Sequence, residues 1–397
     1  MPAGRLLPLL LLTISALAAC TAAPGEVDDD ADDSGEPAEG ESAVVPLNEP
    51  DETAPAGALA AAPLDREASS LIDVRGVGDS GWSETHKSTP LAAGFGDALD
   101  RFDRSGKGYR GDLTFINWET VVGTSCTQFA SAYSPGRSYA FVSRAENLVQ
   151  ASERGFDLVG LSNNHTRDCY ASPDTRLRGE DASPDMTAKA IEGLGDRDWI
   201  WAGIATTRDA GDAARARVRT FHVKGRDVRV AFASVYMGRP SCPRAACSGD
   251  RTAVLESLRD AAADLRILAI HSMGATDQDE LVRLGTEFVK KYDGDVVFGH
   301  GPHVWKPVRV VRKDGGGTGV VFESLGNFLH PSLGAQSKNF IGRALFDPST
   351  LKLRQVQVLP VANSGRDVRW SSVDGATLQA NLRWTASDRG VYANVKP

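Results

Sequence analysis

At six points in the chain an acidic, amide or imidazole side chain follows directly on a short apolar run. Asp79 comes after Leu71 to Val77, and Asn117-Trp118-Glu119 after Leu113 to Ile116. Asn163-Asn164-His165, with Asp168 close behind, follow Asp157 to Leu161, and His271 closes Arg266 to Ile270. His300 and His303 follow Asp295 to Phe298, and Asn327 follows Gly319 to Ser324. Imidazoles combined with carboxylates suit borderline divalent metals such as zinc, manganese or iron. Five of the seven histidines (165, 271, 300, 303 and 330) fall in or near these segments, while His86 and His222 do not. One His after a strand is ordinarily a hydrogen-bonded structural residue. Five polar strand ends in succession, those with Asp79, Glu119, Asn164 and His165, His271, and His300 and His303, are not explained that way, and they point to a metal site.

Short β-like runs that alternate with helical stretches must position these groups. Ser143 to Arg154 reads as a helix with a capping box from Ser143 to Glu146 and Gly155 as its stop. Thr276 with Asp279 reads as the cap of a second helix, whose apolar face is Leu281, Leu284, Phe288 and Tyr292. Val228 to Val235 is a further strand, and Gly315-Gly316-Gly317 reads as a hairpin turn. The alternation is that of an α/β protein, in which ligands bind beyond the carboxyl ends of strands.

With these residues in place, the motifs Gly78-Asp79, Asn117-Trp118-Glu119, Asn163-Asn164-His165, His271 with Gly274, Gly299-His300-Gly301-Pro302-His303-Val304 and Ser324-Leu325-Gly326-Asn327-Phe328 resemble, in order, those of the CapA family of capsule and poly-γ-glutamate synthesis proteins. That family is similar to the calcineurin-like metallophosphoesterases. The resemblance spans roughly residues 70–362 and implies a four-layer α/β/β/α sandwich of the metallo-dependent phosphatase type. It implies one or two divalent ions (Mn, Zn or Fe) held by Asp79, Glu119, Asn164, His271, His300 and His303, with water activated at the metal. It also implies that His165 protonates a leaving group or steadies a phosphoryl oxygen, oriented by Asp168. Asn117, Asn327 and the arginines Arg176 and Arg178 are then candidates to bind an anionic substrate, although the arginines read more readily as solvated surface charge. One departure stands out: phosphoesterases carry a His two positions after the first Asp, and here that position is Gly81.

The rest of the sequence sets the context. Arg5 precedes an apolar run from Leu6 to Ala16 that ends in Leu17-Ala18-Ala19-Cys20. Residues 1–20 read as a lipoprotein signal peptide with Cys20 as the lipidated residue, or as an ordinary secretory signal cleaved after small residues. Residues 21–67 carry a net charge of −13 and scarcely any large apolar side chain, the composition of a disordered tether. Fully extended, the tether reaches about 160 Å. Residues 68–397, with a net charge of +4, read through the resemblance as a single CapA-like domain. So weak a field, without a basic-aromatic stripe, excludes nucleic acid as a partner. No later apolar stretch is long enough to span a bilayer.

Apart from Cys20, the cysteines are Cys126, Cys169, Cys242 and Cys247, an even number in an exported chain. If Cys242 pairs with Cys247 in a small loop, Cys126 and Cys169 form the other bridge; zinc is the weaker reading, with no C-x-x-C present. Gly76, Gly78 and Gly81 match a dinucleotide fingerprint, but no helical period follows them, and no G-x-S-x-G nucleophile elbow occurs. The aromatic residues Trp370, Trp384 and Tyr392 of the C-terminal stretch read as packing, or as a sugar- or wall-binding patch. Two functions remain. One is a metal-dependent hydrolase on the outer face of the bacterial cytoplasmic membrane, lipid-anchored or secreted, that acts on a phosphoester or a γ-glutamyl polymer linkage. The other is a non-catalytic component that holds an anionic polymer within a synthase complex.

Overall fold

Most strands of the molecule are buried on both faces, and their sequences are accordingly runs of Val, Ile, Leu and Phe rather than alternations. The computed structural model describes residues 70–83, 92–123, 128–129, 141–170, 183–206, 210–331, 336–371, 382–383 and 392–394. Cys20, the signal segment, the acidic tether, His86, Cys126, Arg176, Arg178 and Trp384 lie outside these residues.

In chain order the first elements are β1 (Ile72–Ser80), α1 (Phe95–Asp103), β2 (Leu113–Trp118), β3 (Val121–Val122), β4 (Gln128–Phe129) and β5 (Val142–Ser143). Then come α2 (Ala145–Glu153), β6 (Leu158–Gly160), β7 (Cys169–Tyr170), α3 (Ser183–Glu192), β8 (Ile200–Ala202), β9 (Arg217–Val223) and β10 (Arg226–Tyr236). The second half supplies α4 (Arg251–Asp260), β11 (Leu265–His271), α5 (Ala275–Lys291), β12 (Val296–His300), β13 (Val308–Arg312) and β14 (Thr318–Phe322). The last strands are β15 (Gln336–Phe346), β16 (Leu353–Ser364), β17 (Asp367–Trp370), β18 (Leu382–Arg383) and β19 (Tyr392–Asn394).

Two large sheets result. The first runs β17-β16-β15-β1-β2-β6-β8, with β19 also paired to β16; the second runs β18-β13-β14-β12-β11-β10-β9. Within the first, β1, β2, β6 and β8 are parallel. Within the second, β10, β11, β12 and β14 are parallel. An inner core packs the sheets together, with Ile72, Phe115 and Leu158 from one meeting Phe232, Ile267, Phe298 and Phe322 from the other. Phe115 stacks on Phe298 at 4.8 Å and Phe298 on Phe322 at 5.6 Å. The outer face of the first sheet is covered by α1, α2 and α3, and that of the second by α4 and α5. The layers are therefore α/β/β/α, as the motif resemblance implies.

Both expected helices are present, but neither expected cap is. Helix α2 starts at Ala145 after Arg144, with no side-chain cap. Ser143 belongs to β5, which pairs with β3, so its backbone is already extended into a ladder and its hydroxyl meets Asn147 Nδ2 instead. Helix α5 begins at Ala275 with Gly274 in the cap position, which places Thr276 inside the first turn. Leu281, Leu284 and Phe288 form its buried face as expected. The triglycine does turn a hairpin, between β13 and β14. Gly76 and Gly78 lie within β1, and most of the stretch Trp82 to Pro90, where the dinucleotide motif would need its helix, lies outside the described residues. Trp370 packs on Phe102, with ring centroids 4.6 Å apart, in accord with a packing role.

Candidate metal centre

Every expected ligand lies at or just beyond the carboxyl end of a parallel strand, so the two sheets deliver them to a common edge. Asp79 is the penultimate residue of β1, and Glu119 follows β2 directly. His271 and His300 end β11 and β12, where they are register partners. Gly301 then turns the chain with φ +105°, and a Cβ there would lie 1.5 Å from the carbonyl oxygen of Ser272. Only glycine fits that turn. It brings His303, itself at φ 56°, back toward Asp79.

The geometry is convergent. His300 Nδ1 lies 3.2 Å from Asp79 Oδ1, and His303 Nδ1 lies 3.4 Å from Asp79 Oδ2. His271 Nδ1 is 3.9 Å from Asp79 Oδ1, while its Nε2 is 3.8 Å from Glu119 Oε1. Asp79, Glu119 and His303 each offer an atom within 4.8 Å of the others, the spacing of ligands around one ion. Asp79, Glu119, His271 and His300 are at most 1% exposed.

Burial of this kind demands partners, and several atoms have none. Both oxygens of Glu119, Nε2 of His271, and both ring nitrogens of His300 and of His330 make no hydrogen bond among the described residues. An unpaired buried polar atom costs about 1–3 kcal/mol, more when charged. Native proteins leave few such atoms, and orphans concentrated at one point suit a divalent cation. The donors present therefore fit a divalent metal ion.

The electrostatics agree. Burial alone would raise the Asp79 pKa, but the imidazoles of His300 and His303 outweigh it and hold the carboxyl well below its usual range. Glu119 is also lowered: burial and Asp79 push it up, and His303, His330 and His271 prevail. Burial pushes His271 down to about 4, despite the carboxylates of Glu119 and Asp79. For His303 burial works downward, but Glu119 and Asp79 raise it to about 9.

Around these ligands sit the groups that orient them. Asn117 Nδ2 donates to Asp79 Oδ1 at 2.7 Å and lies 3.3 Å from His271 Nδ1. Asn327 Oδ1 lies 2.8 Å from His303 Nδ1. Each asparagine is 1% exposed. Both asparagines thus orient side chains of the expected ligand set, a contact that the sequence reading did not include. The missed signal is that each sits where a strand end hydrogen-bonds its neighbour: Asn117 is β1–β2 register partner to Asp79, and Asn327 is bridged to Asp79.

A 3-10 turn over Asn164–Arg167 carries the remaining residues. Asn164 Oδ1 is buried with no hydrogen bond. His165 Nε2 faces Glu119 Oε1 at 3.8 Å, and its Nδ1 lies 2.7 Å from Asp168 Oδ2. The imidazole stacks on Phe141 at 4.0 Å, and Phe141 N–H donates to the same Asp168 oxygen at 2.7 Å. Burial raises the Asp168 pKa in spite of His165. Asp168 thus holds Nδ1 while Nε2 looks into the cluster.

Two outlying expectations are answered in part. Cys242 and Cys247 form a disulfide with Cα atoms 5.7 Å apart. The partner bridge involves Cys126 and lies outside the described residues, although β4 pairs with β7, the strand that contains Cys169.

Residues 77–174 match the family model described as bacterial capsule synthesis protein PGA_cap. A crystal structure described as a novel phosphatase, from Mycoplasma pneumoniae, is 12% identical over 78% of this chain and 99% of its own, with a TM-score of 0.43. A hypothetical protein from Thermus thermophilus is 14% identical over 72% of this chain and 97% of its own, with a TM-score of 0.38. No curated protein matches the chain.

Proposed function

We propose that this chain, CapA-like over residues 77–174, is a metal-dependent hydrolase of the bacterial cell envelope that cleaves a phosphoester or a linkage of an anionic polymer such as a γ-glutamyl amide. In this reading Cys20 carries the lipid anchor, and the acidic tether holds the domain away from the outer face of the cytoplasmic membrane. The observation that carries the chemistry is the buried convergence of Asp79, Glu119, His271, His300 and His303, with several ligand-type atoms that make no hydrogen bond among the described residues.

A divalent ion at this place supplies Lewis acidity and lowers the pKa of water toward neutrality. The chain's own residues do the rest. Asp79, Glu119, His271, His300 and His303 hold the ion, with the Asn164 oxygen as a further donor. Asn117 and Asn327 fix the orientation of Asp79 and His303. His165, steadied through Nδ1 by Asp168, transfers a proton at Nε2 to the leaving group. If Arg176 and Arg178 reach the site, they clamp the anionic substrate.

The family description favours a second reading, in which the same fold holds or guides polymer for a synthase complex without cleaving it. One experiment separates the two. The full-length protein, loaded with manganese, zinc or iron, is assayed on phosphomonoesters, phosphodiesters and γ-glutamyl polymer, next to Asp168→Asn. Hydrolysis that falls about 10²-fold or more in the variant, at unchanged metal content, supports catalysis by the His165–Asp168 pair. Metal-loaded protein that binds polymer and cleaves nothing supports the second reading.

A further inference from the structure

We propose that His330 is a ligand of the metal centre and occupies the space a side chain at position 81 would otherwise fill, an inference that rests on the metal-binding reading above. Position 81 is glycine, and a Cβ built there would lie 2.3 Å from both Cε1 and Nε2 of His330 and 2.8 Å from its Cδ2. The imidazole of His330 therefore stands in the volume into which residue 81 points. A glycine at 81 and a histidine at 330 go together, since a larger residue 81 fits only if the His330 ring moves.

The chain has no other evident use for this imidazole. His330 is fully buried, and neither ring nitrogen makes a hydrogen bond among the described residues. A Leu or Phe would fill such a space without stranding polar atoms. Its Nε2 instead lies 3.5 Å from Glu119 Oε2, an oxygen equally without a hydrogen bond. The ring stands edge-on to Phe141, which also backs His165, and its centroid is 5.7 Å from that of His303. The segment is anchored, because Phe328 N–H donates to the Asp79 carbonyl at 2.9 Å and Phe328 and Leu329 are fully buried. Two orphaned atoms, one a carboxylate oxygen and one an imidazole nitrogen, thus face each other beside Asp79, in the pairing that a borderline divalent ion takes.

The test is cobalt(II) titration of full-length apo-protein, followed by the visible ligand-field spectrum and by metal analysis, for three proteins. They are the wild type, His330→Ala, and the double variant Gly81→His/His330→Gly, which moves the imidazole from one position to the other. The expected result is tight binding by the wild type, affinity about tenfold or more weaker with an altered spectrum in His330→Ala, and recovery of most of that loss in the double variant. Wild type and His330→Ala with equal affinity and identical spectra would overturn the inference and leave the metal-binding reading intact. A wild type that binds no cobalt would sink that reading and this inference together. If neither variant folds, as judged by circular dichroism, an anomalous-difference map of cobalt-soaked wild-type crystals decides. An ion within about 2.0–2.1 Å of His330 Nε2 upholds the assignment, and an ion bound only elsewhere rejects it.

Discussion

At the scale of single residues, the site couples metal binding to protons. His303 is raised to about 9 by Glu119 and Asp79, whose pull exceeds the opposing cost of burial. At neutral pH the metal-free protein therefore holds His303 as a cation, and an ion that uses this imidazole must displace a proton. Manganese affinity is expected to rise with pH between 7 and 9, with about one proton released, as calorimetry in buffers of different ionisation enthalpy would measure. For the metal-free protein the sign is opposite. A raised imidazole stabilises the fold fully below its unfolded pKa of about 6.5, and that contribution is lost as pH rises through 9. The convergence of polar residues at strand ends was legible in the sequence because an apolar run followed at once by Asp, Glu or His has few other uses. The roles of Asn117 and Asn327 were not, since an amide that orients a neighbour and one that touches substrate look alike in one dimension. His330 was noted near the last motif but not read as a ligand. Its signal was the combination of a glycine at 81, where a His was expected, with a spare imidazole further along the chain.

At the scale of elements, the placement of β1 is fixed by a buried charge cluster at the end away from the site. In the β1–β15 register Arg75 stands directly opposite Arg343. Two like charges so placed repel. Asp73 resolves this by accepting from Arg75 Nη2 at 2.8 Å and from Arg343 Nη2 at 2.6 Å. Burial alone would raise the Asp73 carboxyl, but the two guanidiniums together lower it. Its contribution is thus present above the unfolded pKa of about 3.9 and lost as pH falls below that. Asp73→Asn leaves the arginines short of a counter-charge, and chemical denaturation near neutral pH should read a loss of about 3–5 kcal/mol. Seven strands were legible from their length and apolar content, to within three residues at each end, whereas β9 and the long β15–β16 pair were not read. The helix caps were misread for a definite reason. Ser143 matches a capping pattern in sequence, but its backbone is already engaged in the β3–β5 pair, and a ladder hydrogen bond takes precedence over a local cap.

At the scale of the whole molecule, the site exists only because two sheets pack at one spacing. Asp79 and Glu119 come from the first sheet, while His271 and His300 come from the second. The Phe115 ring of the first sheet stacks on Phe298 of the second, which Phe322 of the same second sheet backs, and this contact helps to set the spacing. Phe298→Ala should cost about 3–5 kcal/mol and also weaken metal binding, although residue 298 touches no ligand carboxylate. Thermal melts with and without metal would register both effects. The alternation of strands and helices announced an α/β protein, but the pairing of two sheets face to face is a long-range property that periodicity does not encode. Ordered motifs supplied it, through resemblance.

The most direct test of the central claim is elemental analysis of the purified full-length protein beside His271→Ala, each reconstituted with manganese, zinc and iron and then dialysed. The account predicts at least about one ion per chain in the wild type, one or two if the site matches a phosphoesterase centre, and a marked fall in the variant. A wild type that retains none of the three metals would contradict it.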